Sequence, residues 1–195
     1  MRIVFATGNM GKMREIREIM EGSGYEIVSM KEAGVDPDII EDGESFEDNA
    51  MIKARAVHEL LPDDIVMADD SGLEVDALNG EPGIYSARYL GEDTPYSVKN
   101  NDIIARLEGV PDEKRTARFV CAIAAVCPDG SEKCVRETVE GRIGYEEKGE
   151  FGFGYDPIFY VPELGCTTGE IPELEKNKIS HRGKALRKMR TELFG

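Results

Sequence analysis

Eleven residues, Thr116 to Val126 (TARFVCAIAAV), constrain the fold most. Rich in β-branched and apolar side chains, they read as a strand. A P-D-G turn at 128–130 leads into CVRETVEGRI at 134–143, so the two runs predict a long antiparallel hairpin. The N-terminus has a different pattern. Residues 2–6 (RIVFA) read as a short buried strand, T-G-N-M-G at 7–11 is a turn, and a helix follows from about Lys12 to Glu21. Met13, Ile16 and Met20 form one apolar stripe on that helix. Strand, glycine turn and helix open an α/β fold, and the hairpin makes its sheet mixed rather than purely parallel.

The remaining segments extend this alternation. Residues 25–30 read as a second strand. Residues 31–48 carry eight acidic residues and one lysine, with Pro37 and Gly43 as breakers, and predict an exposed loop ending at Ser45. Ser45 is placed as an N-cap, with Asp48 at the third position. The helix after it runs to about Leu61, with Phe46, Ala50, Ala54, Val57 and Leu61 inward. IVMA (65–68) is a buried strand ending directly in D-D-S-G (69–72), and LEVDAL (73–78) is another, closed by N-G-E-P-G. Residues 96–108 read as helix and DPIFYVP (156–162) as a strand bounded by prolines. A last helix starts at Ser180 as N-cap, with Ala185, Leu186, Met189 and Leu193 on its apolar side. The expectation is a single domain over residues 1–195, with helices flanking a long mixed sheet.

Charge narrows the function classes. With 24 Lys+Arg against 39 Asp+Glu the formal net charge is −15, which argues against general binding to nucleic acid or to an anionic membrane. A small anionic ligand is compatible with it, because such a ligand feels the local field of its cleft. The four cysteines form no C-x-x-C pair and there are two histidines, which argues against a zinc site and for reduced thiols in a cytosolic protein. The sequence shows no signal-peptide pattern and no apolar run of membrane-spanning length, so a cytoplasmic protein is expected.

Five segments have chemistry to offer. In T-G-N-M-G-K (7–12), glycines after a strand, a helix N-terminus and Lys12 make an anion cradle; an ordinary strand–helix turn fits as well. Asn49 and Lys53 are i and i+4 on one helix face, a cleft edge or, more simply, a solvated face. Asp69 and Asp70 follow a buried strand, where open α/β sheets place ligands. Neighbours on a strand point to opposite faces, so one acid belongs to a site and the other to the structure. Such a carboxylate holds Mg²⁺ or accepts a proton from water; a β-turn with Asp at its first position is the plainer alternative. E-F-G-F-G-Y-D-P (150–157) offers flat rings for base stacking, or is a glycine-kinked strand with core aromatics. Finally, residues 176–190 hold seven Lys/Arg and one His without a carboxylate. The helix dipole explains the later cations, but not Lys176, His181 and Arg182 before or at the helix start.

Together these segments resemble one family. T-G-N-x-x-K, F-x-x-N-A-x-x-K-A-R (46–55), A-D-D-S-G-L (68–73), G-x-P-G-I-Y-S-A-R (80–88), F-G-Y-D-P-I-F (153–159) and I-S-H-R-G-K-A-L (179–186) are similar, in order and spacing, to the inosine/xanthosine triphosphate pyrophosphatases of the Ham1/RdgB type. The resemblance implies a two-lobed α/β body with a central cleft, a Mg²⁺-dependent homodimer, and cleavage of ITP, dITP and XTP to the monophosphate and pyrophosphate. It also implies roles for residues. Thr7, Gly8, Asn9, Met10, Gly11 and Lys12 would cradle the triphosphate, with Lys53 beside it. Glu41 and Asp70 would bind the metal, Asp70 also taking the proton. Ser71 would touch substrate; Phe153, Gly154, Tyr155 and Asp156 would form the base-and-ribose loop; Lys176, His181 and Arg182 would complete the nucleotide pocket. Phe151, where a smaller residue is common, and Pro172 before Lys176 depart from the family pattern. Two rival readings remain: a phosphohydrolase of other triphosphates, and a purine-nucleotide sensor without turnover.

Overall fold

Seven strands form one sheet in the computed structural model, which describes residues 2–195. The strands are β1 (Arg2–Phe5), β2 (Glu26–Ser29), β3 (Ile65–Val75), β4 (Thr116–Val126), β5 (Glu132–Ile143), β6 (Phe159–Val161) and β7 (Cys166–Thr167). The helices are α1 (Met10–Ile19), α2 (Phe46–His58), α3 (Tyr96–Arg106), α4 (Glu173–Ile179) and α5 (His181–Phe194). The sheet order is β2-β1-β3-β4-β5-β6-β7. β1 pairs in parallel with β2 and β3, whereas β6 pairs antiparallel with β5 and β7, so the sheet is mixed as expected. Residues 127–131 close the β4–β5 turn through Cys127 N–H to the Ser131 carbonyl at 2.9 Å. All four cysteines are free, and among the described residues no helix is long and apolar enough to cross a membrane.

The chain divides into two compact units, each with its own core. One comprises Met1–Asp70, Cys121–Glu137 and His181–Gly195. Its core packs Ile3 and Phe5 of β1 with Met13, Ile16 and Met20, Met67 of β3, Ile123 of β4, and Ala185, Leu186 and Met189 of α5. The other comprises Ser71–Val120 and Thr138–Ser180. Its core joins Leu73 and Val75 of β3, Ile103 and Leu107, Phe119, and Ile158, Phe159 and Val161. Burial of these apolar side chains supplies the dominant favourable contribution to folding.

Several local expectations need correction. α1 begins at Met10, so Met10 and Gly11, expected in the turn, join Lys12 in a first helical turn; Asn9 caps it, its side chain accepting the Lys12 N–H at 3.1 Å. β3 does not end before D-D-S-G but runs through it to Val75, because partners satisfy both buried acids; Asp76–Leu78 is then a 3₁₀ turn rather than more strand. Residues 156–158 are likewise a 3₁₀ turn, leaving three residues for β6. Ser45 caps α2 as expected, accepting the Asp48 N–H, but the helix stops at His58 and Leu61 lies beyond it. α4, which begins after Pro172, was not anticipated.

One polar side chain ties the second unit together. Arg115 is 1% exposed and donates to the carbonyls of Leu107 (2.8 Å), Ile143 (2.9 Å) and Gly144 (2.7 Å). Tyr145 covers its guanidinium, with the ring centroid 4.2 Å from the central carbon. Methionine at this position would fill similar space and remove all three of these buried donor bonds. Arg115→Met is therefore expected to lower unfolding stability by at least about 3 kcal/mol in urea titration. A loss below about 1 kcal/mol would contradict this role.

Candidate active site

Asp69 and Asp70 occupy successive positions of β3 and find separate sets of partners, as the alternation of a strand dictates. Asp70 is 8% exposed. Lys53 reaches it from α2, Nζ donating to Asp70 Oδ1 at 3.0 Å and to Glu41 Oε2 at 2.9 Å. Asn49, one turn earlier, turns its amide toward Asp70 Oδ2 at 3.5 Å. Its carbonyl oxygen accepts the Gly43 N–H at 2.9 Å and pins the acidic loop. Gly43 suits that close approach: a Cβ there would stand 2.7 Å from Asp48 Cβ and 2.9 Å from the Asn49 nitrogen. Glu41 is thereby delivered to Lys53. The simpler expectation of a solvated α2 face is overturned, because Asn49 and Lys53 are both buried.

Burial pushes the Asp70 carboxyl above its ordinary range, and the Lys53 and Lys12 ammoniums pull it partly back. For Lys53, burial acts downward, but Asp70, Asp69 and Glu41 outweigh it and hold the ammonium above its usual value. The result is a charged lysine shared by two acids.

Asp69 has cations of its own. Lys12 Nζ stands 3.0 Å from Asp69 Oδ2, and Arg182 Nη2 lies 3.2 Å from the same oxygen. Arg182 Nη1 also pairs with Glu15 of α1. Asp69, Arg182 and Glu15 are all buried. Burial alone would lower the Arg182 pKa, but the two carboxylates raise it. Arg182, expected in the nucleotide pocket, thus directs its guanidinium at Glu15 and Asp69. His181 is half-buried at the start of α5. Gly8, Asn9 and Met10 are exposed, and Thr7 Oγ1 accepts the Asn9 N–H at 3.1 Å. Lys12, Lys53 and Asp70 are therefore brought together around β3, with Glu41 beside them.

The second unit organises the loop around Asp156, which is 5% exposed. Its carboxylate accepts the Phe153 N–H at 2.8 Å, the Thr168 hydroxyl at 2.8 Å and Lys176 Nζ at 2.9 Å. Gly152 has φ +74°, and a Cβ there would strike Asp156 Oδ2 at 2.1 Å. Tyr155 is buried and donates its hydroxyl to the Ser86 carbonyl at 2.7 Å. Lys176 Nζ is 5.2 Å from the Phe153 ring centroid. Residues 150–155 are an irregular loop, not a kinked strand. Lys176 lies in the last turn of α4, where a helix favours a cation, and not ahead of a helix start as expected. Ser71 is half-buried on β3.

Glu15, Thr168 and Asn100 escaped sequence reasoning. Glu15 sits in a charged stretch that gives no sign of burial; Thr168 and Asn100 lie outside every motif. For a metal, the Glu41–Asp70 pair offers hard oxygen donors, both held by Lys53. Among the described residues no group of three candidate ligands is assembled. Two carboxylates nonetheless fit Mg²⁺, which keeps several waters and takes its remaining ligands from substrate phosphates.

The buried charges make a stability prediction. Arg182→Met leaves Glu15 and Asp69 without their shared cation and should cost about 3–5 kcal/mol near neutral pH. Asp69 keeps Lys12, but burial then raises the Glu15 carboxyl pKa above its unfolded value. Stability should be lost as pH rises through that value, so the deficit against the unmodified protein shrinks between about pH 8 and about pH 5. Denaturant titrations showing an equal deficit at both values would contradict this assignment.

Comparison with known proteins agrees along nearly the whole length. A sequence model described as the Ham1 family matches residues 3–192. A dITP/XTP pyrophosphatase of Desulforamulus reducens is 49% identical over 188 residues, covering 96% of this chain and 93% of that protein. The structure of the Staphylococcus aureus Ham1 protein superposes with TM-score 0.88 at 41% identity, covering 99% of this chain and 98% of that one. A HAM1 protein structure from Coxiella burnetii gives TM-score 0.89 at 38% identity, with the same coverage of both chains.

Proposed function

The chain belongs to the Ham1 family, and from that premise we propose that it hydrolyses non-standard purine nucleoside triphosphates (ITP, dITP and XTP) to the monophosphate and pyrophosphate. The observation that carries this reading is the buried Lys53 shared by Asp70 and Glu41, with Lys12 on the neighbouring acid. A cluster of two lysines and three carboxylates suits a polyanion that arrives with a divalent cation.

In this reading Thr7 to Lys12 and Lys53 hold the phosphates, and Glu41 and Asp70 hold Mg²⁺. The ion, when bound, offsets phosphate charge and favours departure of pyrophosphate. Asp70 orients a water and accepts its proton as the water oxygen bonds to the α-phosphorus. The bond from that phosphorus to the bridging oxygen breaks, and pyrophosphate leaves with the oxygen. No covalent intermediate is required.

Base choice falls to residues 153–156 and Lys176. The Phe153 ring stacks on the purine, a contact worth about 1–3 kcal/mol in nucleic-acid complexes. Lys176, aimed by Asp156, donates to a carbonyl at the purine 6-position. Adenine presents an amino group there, which offers this donor no acceptor. Family resemblance further supports a homodimer serving the cytoplasmic nucleotide pool, with neither nucleic acid nor membrane as partner.

Pyrophosphate release from ITP, dITP, XTP, ATP, dUTP and dTTP, with and without Mg²⁺, tests this reading. ITP, dITP and XTP should lead. In Lys176→Ala the ITP-to-ATP ratio of kcat/KM should fall by about ten-fold or more. A preference for dUTP or dTTP, or tight ITP binding without turnover, would overturn it.

A further inference from the structure

Helix α3 contributes to none of the motifs, yet it grips the base loop. Asn100 is 1% exposed, and its Nδ2 donates to Glu147 Oε1 at 2.7 Å and to the Gly154 carbonyl at 3.2 Å. Reversing the amide would set its oxygen against two acceptors, so the hydrogen-bond pattern fixes its orientation. One turn earlier, Tyr96 meets Tyr155 edge-on with centroids 5.2 Å apart, and its ring lies 3.6 Å from where a Gly154 Cβ would stand.

Phe153 sits between two glycines with positive φ, Gly152 at +74° and Gly154 at +69°. Glycine gives the backbone no preference of its own for that conformation. The direction of the Phe153 ring must therefore come from anchors on both sides. Asp156 supplies one, through the Phe153 N–H. Asn100 supplies the other, through the Gly154 carbonyl.

We infer that Asn100 is a positioning residue for purine discrimination: by holding the Gly154 carbonyl it fixes the Phe153 ring relative to Lys176. This rests on the reading of residues 153–156 as the base loop. Asn100 itself touches no substrate. Without its donor bond the loop pivots about Asp156, and ring and ammonium no longer meet one base together.

The experiment compares Asn100→Asp with the double variant Asn100→Asp/Glu147→Gln. Aspartate keeps the shape but donates to neither acceptor. In the double variant the new glutamine amide donates to the new carboxylate and restores that contact, yet the Gly154 carbonyl stays unbound. The ITP-to-ATP ratio of kcat/KM should fall about ten-fold in both variants, chiefly through KM for ITP, within the roughly hundred-fold that a displacement of about 1 Å can cause. Tm should drop in the single variant and recover in the double. A ratio that recovers along with Tm would show a merely structural role and overturn the inference, as would an unchanged ratio in both. If Asn100→Asp does not fold, the ratio in the double variant decides. A wild-type protein without preference for ITP over ATP removes the base-loop reading itself, and this inference with it.

Discussion

A carboxylate buried within a strand must have a cation or give up its charge. β3 carries two such acids in succession, and most of the first unit follows from satisfying them. Lys53 on α2 answers Asp70, and Lys12 on α1 and Arg182 on α5 answer Asp69. Each cation belongs to a different helix, so the acids dictate where three helices must present one side chain each. Asn49 extends the same logic to the acidic loop, through Gly43 to Glu41. Buried ion pairs of this kind are weak contributors to net stability. Their value here is geometric: they hold a strongly charged cluster in one arrangement before any ligand arrives.

As the proposed base-binding part, the second unit meets a different problem with similar means. A flat, neutral base needs a ring at a set angle and a donor at a set point. Glycines at 152 and 154 let the chain pass close to Asp156 and Tyr96, and that freedom has to be removed elsewhere. Asp156 removes part of it by binding Phe153, Thr168 and Lys176 at once. In the proposed reading, recognition and rigidity are thus carried by the same carboxylate.

The sequence made visible whatever depends on near neighbours. The apolar run of β4, the turn into β5, the α1 stripe and the Ser45 cap are local patterns, and all are present. Asp69 and Asp70 were legible as a divided pair, because strand alternation is local too. Charge burial was not legible. Glu15 and Arg182 lie 167 residues apart, and nothing in the stretch around Glu15 distinguishes it from its charged neighbours Arg14, Arg17 and Glu18. The plain reading of Asn49 and Lys53 as a solvated face failed for the same reason, since their partners lie on β3 and in the acidic loop. D-D-S-G looked like a turn because two acids seldom continue a buried strand, which they do only when cations meet them. α4 was hidden by its shortness and by the Pro172 that opens it.

In the proposed reading Asp70, held against Lys53, is the carboxylate that accepts the proton during hydrolysis. Turnover of ITP by Asp70→Asn, measured as pyrophosphate release alongside thermal unfolding, tests it most directly. Asparagine keeps the shape and still accepts from Lys53, so the Tm should stay close to that of the unmodified protein. Turnover should fall on the order of 10²–10⁴-fold. A well-folded variant turning over within a few-fold of the unmodified enzyme would contradict the account.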